Sequence, residues 1–258
     1  ALIHDLENFL SQVNTGHIYW IEISSGRTST IRLKSAPIDV GPEIKRCLFD
    51  KYESVVLTSA TLCTGSAAEK SGFDFFAGRI GLDDFDAVRL GSPFDYQKQV
   101  KLYIEKDMPN PNQSEFIENA AEAIKKYLAK NTGGAFVLFT SYAMLEETAD
   151  RLSQWLDENH FKLLQQGADL DRAMLLRQFK TKGANVLFGT DSFWQGVDVP
   201  GDALSTVVIV KMPFNVPDDP LIEARIEEIT ASGGNAFMEF QLPEAIMTLR
   251  QGFGRLIR

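Results

Sequence analysis

Ala135-Phe136-Val137-Leu138-Phe139-Thr140-Ser141 decides the fold. Its apolar residues run without a polar interruption into two hydroxyl side chains. A strand with one wet face alternates apolar and polar residues, whereas a strand covered on both faces does not. The stretch therefore predicts a buried strand at 135–139, with Thr140 and Ser141 leaving the sheet. Leu145, Thr148, Leu152, Trp155 and Leu156 follow at helical spacing.

The same rhythm extends in both directions. A strand is predicted at 101–105. Pro109 and Pro111 lead from it to a helix carrying Phe116, Ile117, Ala120, Ala121, Ile124 and Leu128. Downstream come a strand at 161–164, a helix at 172–179, strands at 185–188 and 206–210, and helices at about 220–231 and 235–253. Apolar strands alternating with amphipathic helices predict an α/β fold, a parallel sheet flanked by helices on both faces. Ligands of such sheets gather at the C-terminal strand ends. That rule singles out Thr140-Ser141, Gln165-Gln166-Gly167, Gly189-Thr190-Asp191 and Lys211.

The N-terminal part reads differently. Leu2, Leu6, Phe9, Leu10 and Val13 share a helix face, and a helix without a cap at residue 1 predicts a chain cut from something longer. β-rich runs at 17–23 and 28–34 flank Ser24-Ser25-Gly26-Arg27, the pattern of a hairpin. A short helix at 42–52 and a buried strand at 54–58 are predicted next, and 63–98 reads as irregular. The expected division is a helical remnant of an upstream domain (1–16), a junction segment with the hairpin (17–100) and the α/β domain (101–258), truncated at its end.

Composition narrows the function. A length of 258 residues suits one large α/β domain, or one domain plus part of another. The formal charge of −9, from 35 acids and 26 bases, taken alone argues against phosphate binding. A local basic groove on an acidic body meets that objection. Cys47 and Cys63 form no Cys-x-x-Cys and His is scarce, so neither zinc nor an iron–sulfur cluster is expected within this segment; buried, reduced thiols are. No signal peptide opens the chain, and the apolar run at 205–214 is too short to span a membrane.

Several short motifs each carry two readings. Gln251, Gly254, Arg255 and Arg258 project from roughly one face if the last helix continues. With no acid from Thr248 onward, the two guanidiniums form either an anion clamp for a transferring phosphoryl group or a pair of solvated arginines. Gly189 to Asp198 follows a strand at once: its small residues can offer N–H groups to a phosphate, and Asp198 can accept from a ribose hydroxyl or end a turn. Phe193 and Trp194 either stack on bases or pack in the core. Thr140 and Ser141 suit a helix cap or a DNA phosphate. Ser59-Ala60-Thr61, after Val55-Val56-Leu57-Thr58, carries the same ambiguity.

Their order is more specific than any one of them. Ser-Ala-Thr-Leu, Phe-Thr-Ser, Gly-Thr-x₇-Asp and Gln-x-x-Gly-Arg-x-x-Arg succeed one another along the chain, with Gly91-Ser92-Pro93-Phe94 and Pro213-Phe214-x-x-Pro217 between them. From about Pro37 to Arg258 the chain resembles superfamily 2 helicases, most closely the DinG branch of the XPD-like helicases. The resemblance implies a RecA-like C-terminal motor domain that faces a first RecA-like domain across ATP, with single-stranded DNA running over both. It implies that Arg255 and Arg258 reach the γ-phosphate, that Gly196, Asp198 and Gly254 lie by the nucleotide, and that Gln251 couples nucleotide to domain interface. Thr190, Thr140 and Ser141 touch the DNA backbone on this reading, with Gly167 grouped beside them, and Ser59, Ala60 and Thr61 relay nucleotide state.

The chain departs from the pattern in three ways. No Gly-x-x-x-x-Gly-Lys-Ser/Thr and no Asp-Glu-x-His occur, so the resemblance leaves most of the hold on ATP and magnesium to the first domain. Gln195 stands where the branch often has Glu. The chain stops at Arg258, where the family usually continues into another strand. The implied parent is a cytoplasmic, nucleoid-associated DNA-repair or replication helicase without a membrane. The alternatives are a helicase-like part of a nuclease and a non-catalytic nucleic-acid- or partner-binding module.

Overall fold

The computed structural model describes residues 2–24, 29–64, 70–92, 94–131, 133–168, 170–194, 199, 203–216 and 219–256, and the side chains of all of these except Leu2, Lys70, Ser71, Asp191 and Arg255. The elements in chain order are α1 (Leu2–Ser11), β1 (His17–Ser24), β2 (Thr30–Pro37), α2 (Gly41–Ile44), α3 (Asp74–Arg79), α4 (Tyr96–Gln99), α5 (Phe116–Leu128), β3 (Gly134–Leu138), α6 (Tyr142–Glu158), β4 (Lys162–Gln165), α7 (Arg172–Phe179), β5 (Asn185–Gly189), α8 (Asp191–Trp194), β6 (Leu204–Ile209), α9 (Pro220–Ala231) and α10 (Leu242–Phe253). The chain divides into two compact units, Ala1–Leu90 with Asn215–Glu244, and Gly91–Phe214 with Ala245–Arg258.

The second unit is built on a four-stranded sheet in the order β4-β5-β3-β6. All three neighbouring pairs are parallel. Every residue of β3 and β5 is buried. The pleat then sorts side chains by parity. Ala135, Val137 and Phe139 face one core with α5 and α6, through Ile124, Leu128, Leu145, Leu152 and Leu156. Phe136 and Leu138 face the other with Leu175 and Phe179 of α7, the α8 aromatics, and Leu249 of α10. This is the α/β architecture expected from the unbroken apolar runs.

In the first unit, β1 and β2 pair antiparallel from His17 opposite Pro37 to Ser24 opposite Thr30. Of the expected turn Ser24–Arg27, Ser24 ends β1, and Ser25, Gly26 and Arg27 lie outside the described residues. Residues 215–244 belong to this unit, where α9 packs on β1. Arg79 reaches Glu244 at 3.3 Å and lies over the Phe240 ring at 5.2 Å, while Asn215 donates to the same Glu244 carboxylate.

Several expectations need correction. Residues 54–58 form no strand, and Val56 is 84% exposed. Residues 101–105 form none either, with Leu102 81% exposed. An apolar run marks a strand only where a sheet edge offers partners for its backbone. Residues 101–105 are held by α5 instead: Glu105 accepts hydrogen bonds from Lys126 at 2.5 Å and Tyr127 at 2.7 Å, and the rings of Tyr103 and Tyr127 lie 5.1 Å apart. The hydrogen bond from Lys126, then that from Tyr127, holds the Glu105 carboxyl below its ordinary value. A carboxyl depressed in this way favours the fold above its unfolded pKa, and the tether is lost as pH falls through the lower folded value.

The 63–98 region is less irregular than expected, because it contains a 3₁₀ turn at Lys70–Phe73 as well as α3 and α4. Cys63 is buried, but Cys47 is exposed, on a π-helical turn at Lys45–Phe49 that extends α2. The last α-helix stops at Phe253 and tightens into a 3₁₀ turn at Gly254–Leu256, so Gln251 and Gly254 do not continue along one α-helical face.

Asn185 closes the far end of the sheet. Its buried Nδ2 donates to the carbonyl oxygens of Phe179 at 3.0 Å and Thr181 at 2.9 Å, satisfying groups that the end of α7 leaves open. Asn185→Ala is expected to destabilise the chain by about 1–3 kcal/mol, because those carbonyls lose their partner in a dry site. Urea unfolding checks this; a loss below about 0.5 kcal/mol would show that water replaces the amide.

Candidate nucleic-acid and nucleotide site

The C-terminal ends of β3, β4 and β5 are joined by the side chain of Gln166. Its Oε1 accepts from the Thr190 N–H at 2.7 Å and from the Thr190 hydroxyl at 3.2 Å. Its Nε2 donates to the Tyr142 hydroxyl at 2.6 Å and to Ser192 Oγ at 3.0 Å. One amide thus uses both ends to tie the segments that follow three strands. The backbone adds its own ties, from Gln166 N to the Phe188 carbonyl at 3.0 Å and from Phe139 N to the Gly189 carbonyl at 2.9 Å.

Thr140 and Ser141 sit beside this bridge, half-buried and exposed respectively. Ser141 caps α6: its backbone is extended, and its Oγ accepts from Met144 N at 3.3 Å. The capping reading therefore describes Ser141 in this structure, and the exposed hydroxyl retains further hydrogen-bonding capacity. Thr190 is buried, with its amide and hydroxyl both turned to Gln166. Gly167, with φ at +90°, takes a left-handed turn that glycine adopts without strain, and a Cβ placed there would stand 3.4 Å from the Tyr142 ring.

The two aromatics at the end of β5 belong to the core. Phe193 and Trp194 are buried, and Trp194 Nε1 donates to the Phe139 carbonyl at 3.0 Å. Two glycines make room for them. A Cβ at Gly189 would lie 2.7 Å from Phe193, and one at Gly252 would lie 3.0 Å from the Trp194 indole. Gly189 thus serves packing in this structure.

Of the expected nucleotide residues, Gln251 is half-buried on α10, and Gly254 is exposed with no atom within 4 Å of where a Cβ would stand. Gly196, Asp198, Arg258 and the Arg255 side chain lie outside the described residues, as does Gln195. Ser59, Ala60 and Thr61 belong to the first unit, where Ser59 Oγ accepts from Thr61 N at 3.2 Å in a local turn. Thr140, Ser141, Gly167 and Thr190 are therefore the predicted residues that the structure brings together. Sequence reasoning placed Gln166 at a strand end without a role and missed both Tyr142 and Gly252. The signal for Gln166 was its position, one residue beyond the edge strand β4, among the polar residues that end the strands.

Gln166→Ala is expected to cost about 1–3 kcal/mol, since the buried Thr190 N–H loses its acceptor. An exposed substitution such as Lys182→Ala serves as control and stays within about 0.5 kcal/mol. Chemical denaturation of both variants measures the difference; equal stability would mean that the bridge contributes nothing.

Residues 124–258 match the model of the helicase C-terminal domain family. The chain is 39% identical over 250 residues to the ATP-dependent DNA helicase YoaA of Haemophilus influenzae, a match covering 96% of this chain and 37% of that protein. It is 38% identical over 246 residues to the 3'-5' exonuclease DinG of Bacillus subtilis, covering 93% of this chain and 26% of that protein. It is 35% identical over 246 residues to the ATP-dependent DNA helicase DinG of Photobacterium profundum, covering 93% and 34%. The chain thus spans roughly a quarter to two fifths of the length of these relatives. A family match over more than half of the chain coincides with the covered parallel sheet, and the chain belongs to the helicase C-terminal domain family.

Proposed function

We propose that this chain is the second motor domain, with its junction segment, of an ATP-dependent DNA helicase that moves along single-stranded DNA and unwinds duplexes. The observation that carries this reading is the clustering of Thr140, Ser141 and Thr190 at the strand ends around Gln166. Exposed hydroxyl groups such as that of Ser141 can position a nucleic-acid backbone without reading its sequence, and Gln166 with the buried Thr190 holds the strand ends behind them. The names of the relatives support the same class of activity. The parent on this reading is a superfamily 2 enzyme working in the cytoplasm on chromosomal DNA, in repair or replication. No helix among the described residues is long and apolar enough to cross a membrane.

The chain's own residues fit one side of a nucleotide. Gln251, Arg255 and Arg258 are donors suited to phosphate oxygens, and Gly254 stands open. The sequence has no phosphate-cradling loop, so the first motor domain holds most of ATP and its magnesium on this reading. ATP supplies the phosphoryl transfer that drives the motor. Arg255 and Arg258 act late: domain closure brings them to the γ-phosphate, where their guanidiniums stabilise the charge of the transition state. Asp198 lies by the nucleotide, Gln251 couples the nucleotide to the domain interface, and Ser59–Thr61 relay its state. A second reading, a helicase-like part of a nuclease, follows from the exonuclease name of one relative; that name belongs to a protein of which this chain spans 26%.

The chain alone is expected to hydrolyse no ATP above a buffer blank, with or without single-stranded DNA. In the polypeptide that joins it to its phosphate-loop domain, Arg258→Ala is expected to lower DNA-stimulated turnover by about 10³-fold or more, with nucleotide affinity changed far less. Arg258→Lys is expected not to restore it, since a point ammonium lacks the planar fork. Steady-state ATPase at saturating DNA measures this, beside nucleotide affinity and a thermal melt. Near-normal turnover in a folded Arg258→Ala protein rejects the clamp.

A further inference from the structure

Tyr142 has no role in the reading above, yet its environment is unusual for a surface tyrosine. It opens α6 directly after Thr140 and Ser141, and it is 48% exposed. The residue is nevertheless restrained. The helix fixes its backbone, Gln166 Nε2 donates to its hydroxyl at 2.6 Å, and the ring edge stands so close to Gly167 that a Cβ added there would lie 3.4 Å from Cε1 and 3.5 Å from Cδ1. Phe139, Phe193 and Trp194, aromatics beside these strand ends, are 0%, 0% and 1% exposed and closed to any ligand.

We propose that Tyr142 is a stacking platform for a nucleobase of single-stranded DNA. The inference rests on the proposed DNA-binding role of the strand ends and extends it from backbone to bases. An aromatic face accepts any base, which suits a motor that must step along arbitrary sequence. A ring that is already oriented loses little freedom when a base settles on it, so most of the stacking energy survives as affinity. The arrangement also assigns Gln166 two tasks. Its carbonyl oxygen positions Thr190, its amide nitrogen positions Tyr142, and a backbone contact and a base contact are set by one side chain.

The test uses the full 258-residue chain and two oligonucleotides of equal length, an oligo-dT and its abasic sugar-phosphate counterpart, followed by anisotropy at low salt. Wild type is expected to bind oligo-dT more tightly than the abasic strand. Tyr142→Leu is expected to weaken oligo-dT binding roughly 5- to 150-fold and to leave abasic binding unchanged. Tyr142→Phe, which keeps the ring, is expected to retain most of the affinity. In parallel, an oligonucleotide carrying 5-iodouracil is photo-crosslinked and the adduct mapped by mass spectrometry, with the adduct expected on Tyr142.

Equal binding of the two strands by wild type overturns the stacking platform and leaves the backbone-binding role standing. Equal weakening of both strands by Tyr142→Leu assigns the residue to structure and overturns the platform. If that variant does not fold, the Phe variant and the crosslink decide: a large loss with Phe, or adducts only at other residues, rejects the proposal. No binding of either strand overturns the platform together with the DNA-binding reading beneath it.

Discussion

Strand β3 has to be covered on both faces and paired on both edges, and the second unit is organised around that constraint. Its neighbours are β5 and β6, and each of its residues is buried. A strand this apolar has no face to give to water, so helices must lie on both sides. α5 and α6 fill one side, and α7 with α10 the other. Parallel pairing then sends the polar ends of all the strands to one rim, because each crossover returns the chain to the opposite end. Thr140, Gln166 and Thr190 come together for that reason.

What holds the rim in shape is polar. Gln166, at the end of β4, accepts and donates at once, and its partners belong to the ends of β3 and β5. A single amide in that position restrains the loops without adding charge. This suits a body that is acidic overall. The rim is also tied to the opposite core. Trp194 donates to the carbonyl of Phe139, next to Thr140, and its indole packs on Gly252, next to Gln251. A buried ring therefore connects the residue before one candidate DNA contact with the residue after a candidate nucleotide contact.

The first unit obeys different physics. Its hairpin is a two-stranded sheet, which offers little burial of its own. Residues 215–244, remote in sequence, complete it through Arg79, Phe240 and Glu244. No local pattern announces such a contact, because Arg79 serves it as a lone cation in a Gly-rich stretch.

The sequence alone determined the parallel sheet, the helices between its strands and the hydroxyl-bearing strand ends. Those features follow from periodicity, which each segment carries by itself. It also announced the family, through the order of motifs that are individually weak. Only the tertiary structure decided which apolar runs are strands. Residues 54–58 and 101–105 carry short apolar runs that read locally as strands, as 135–139 does, but no sheet edge receives them, and Glu105 is drawn to α5 instead. It alone decided that Phe193 and Trp194 are core while Tyr142 is presented to solvent. An aromatic side chain reads identically in either setting, and the difference lies in whether another helix, here α10 with Gly252 at the contact, arrives to cover it.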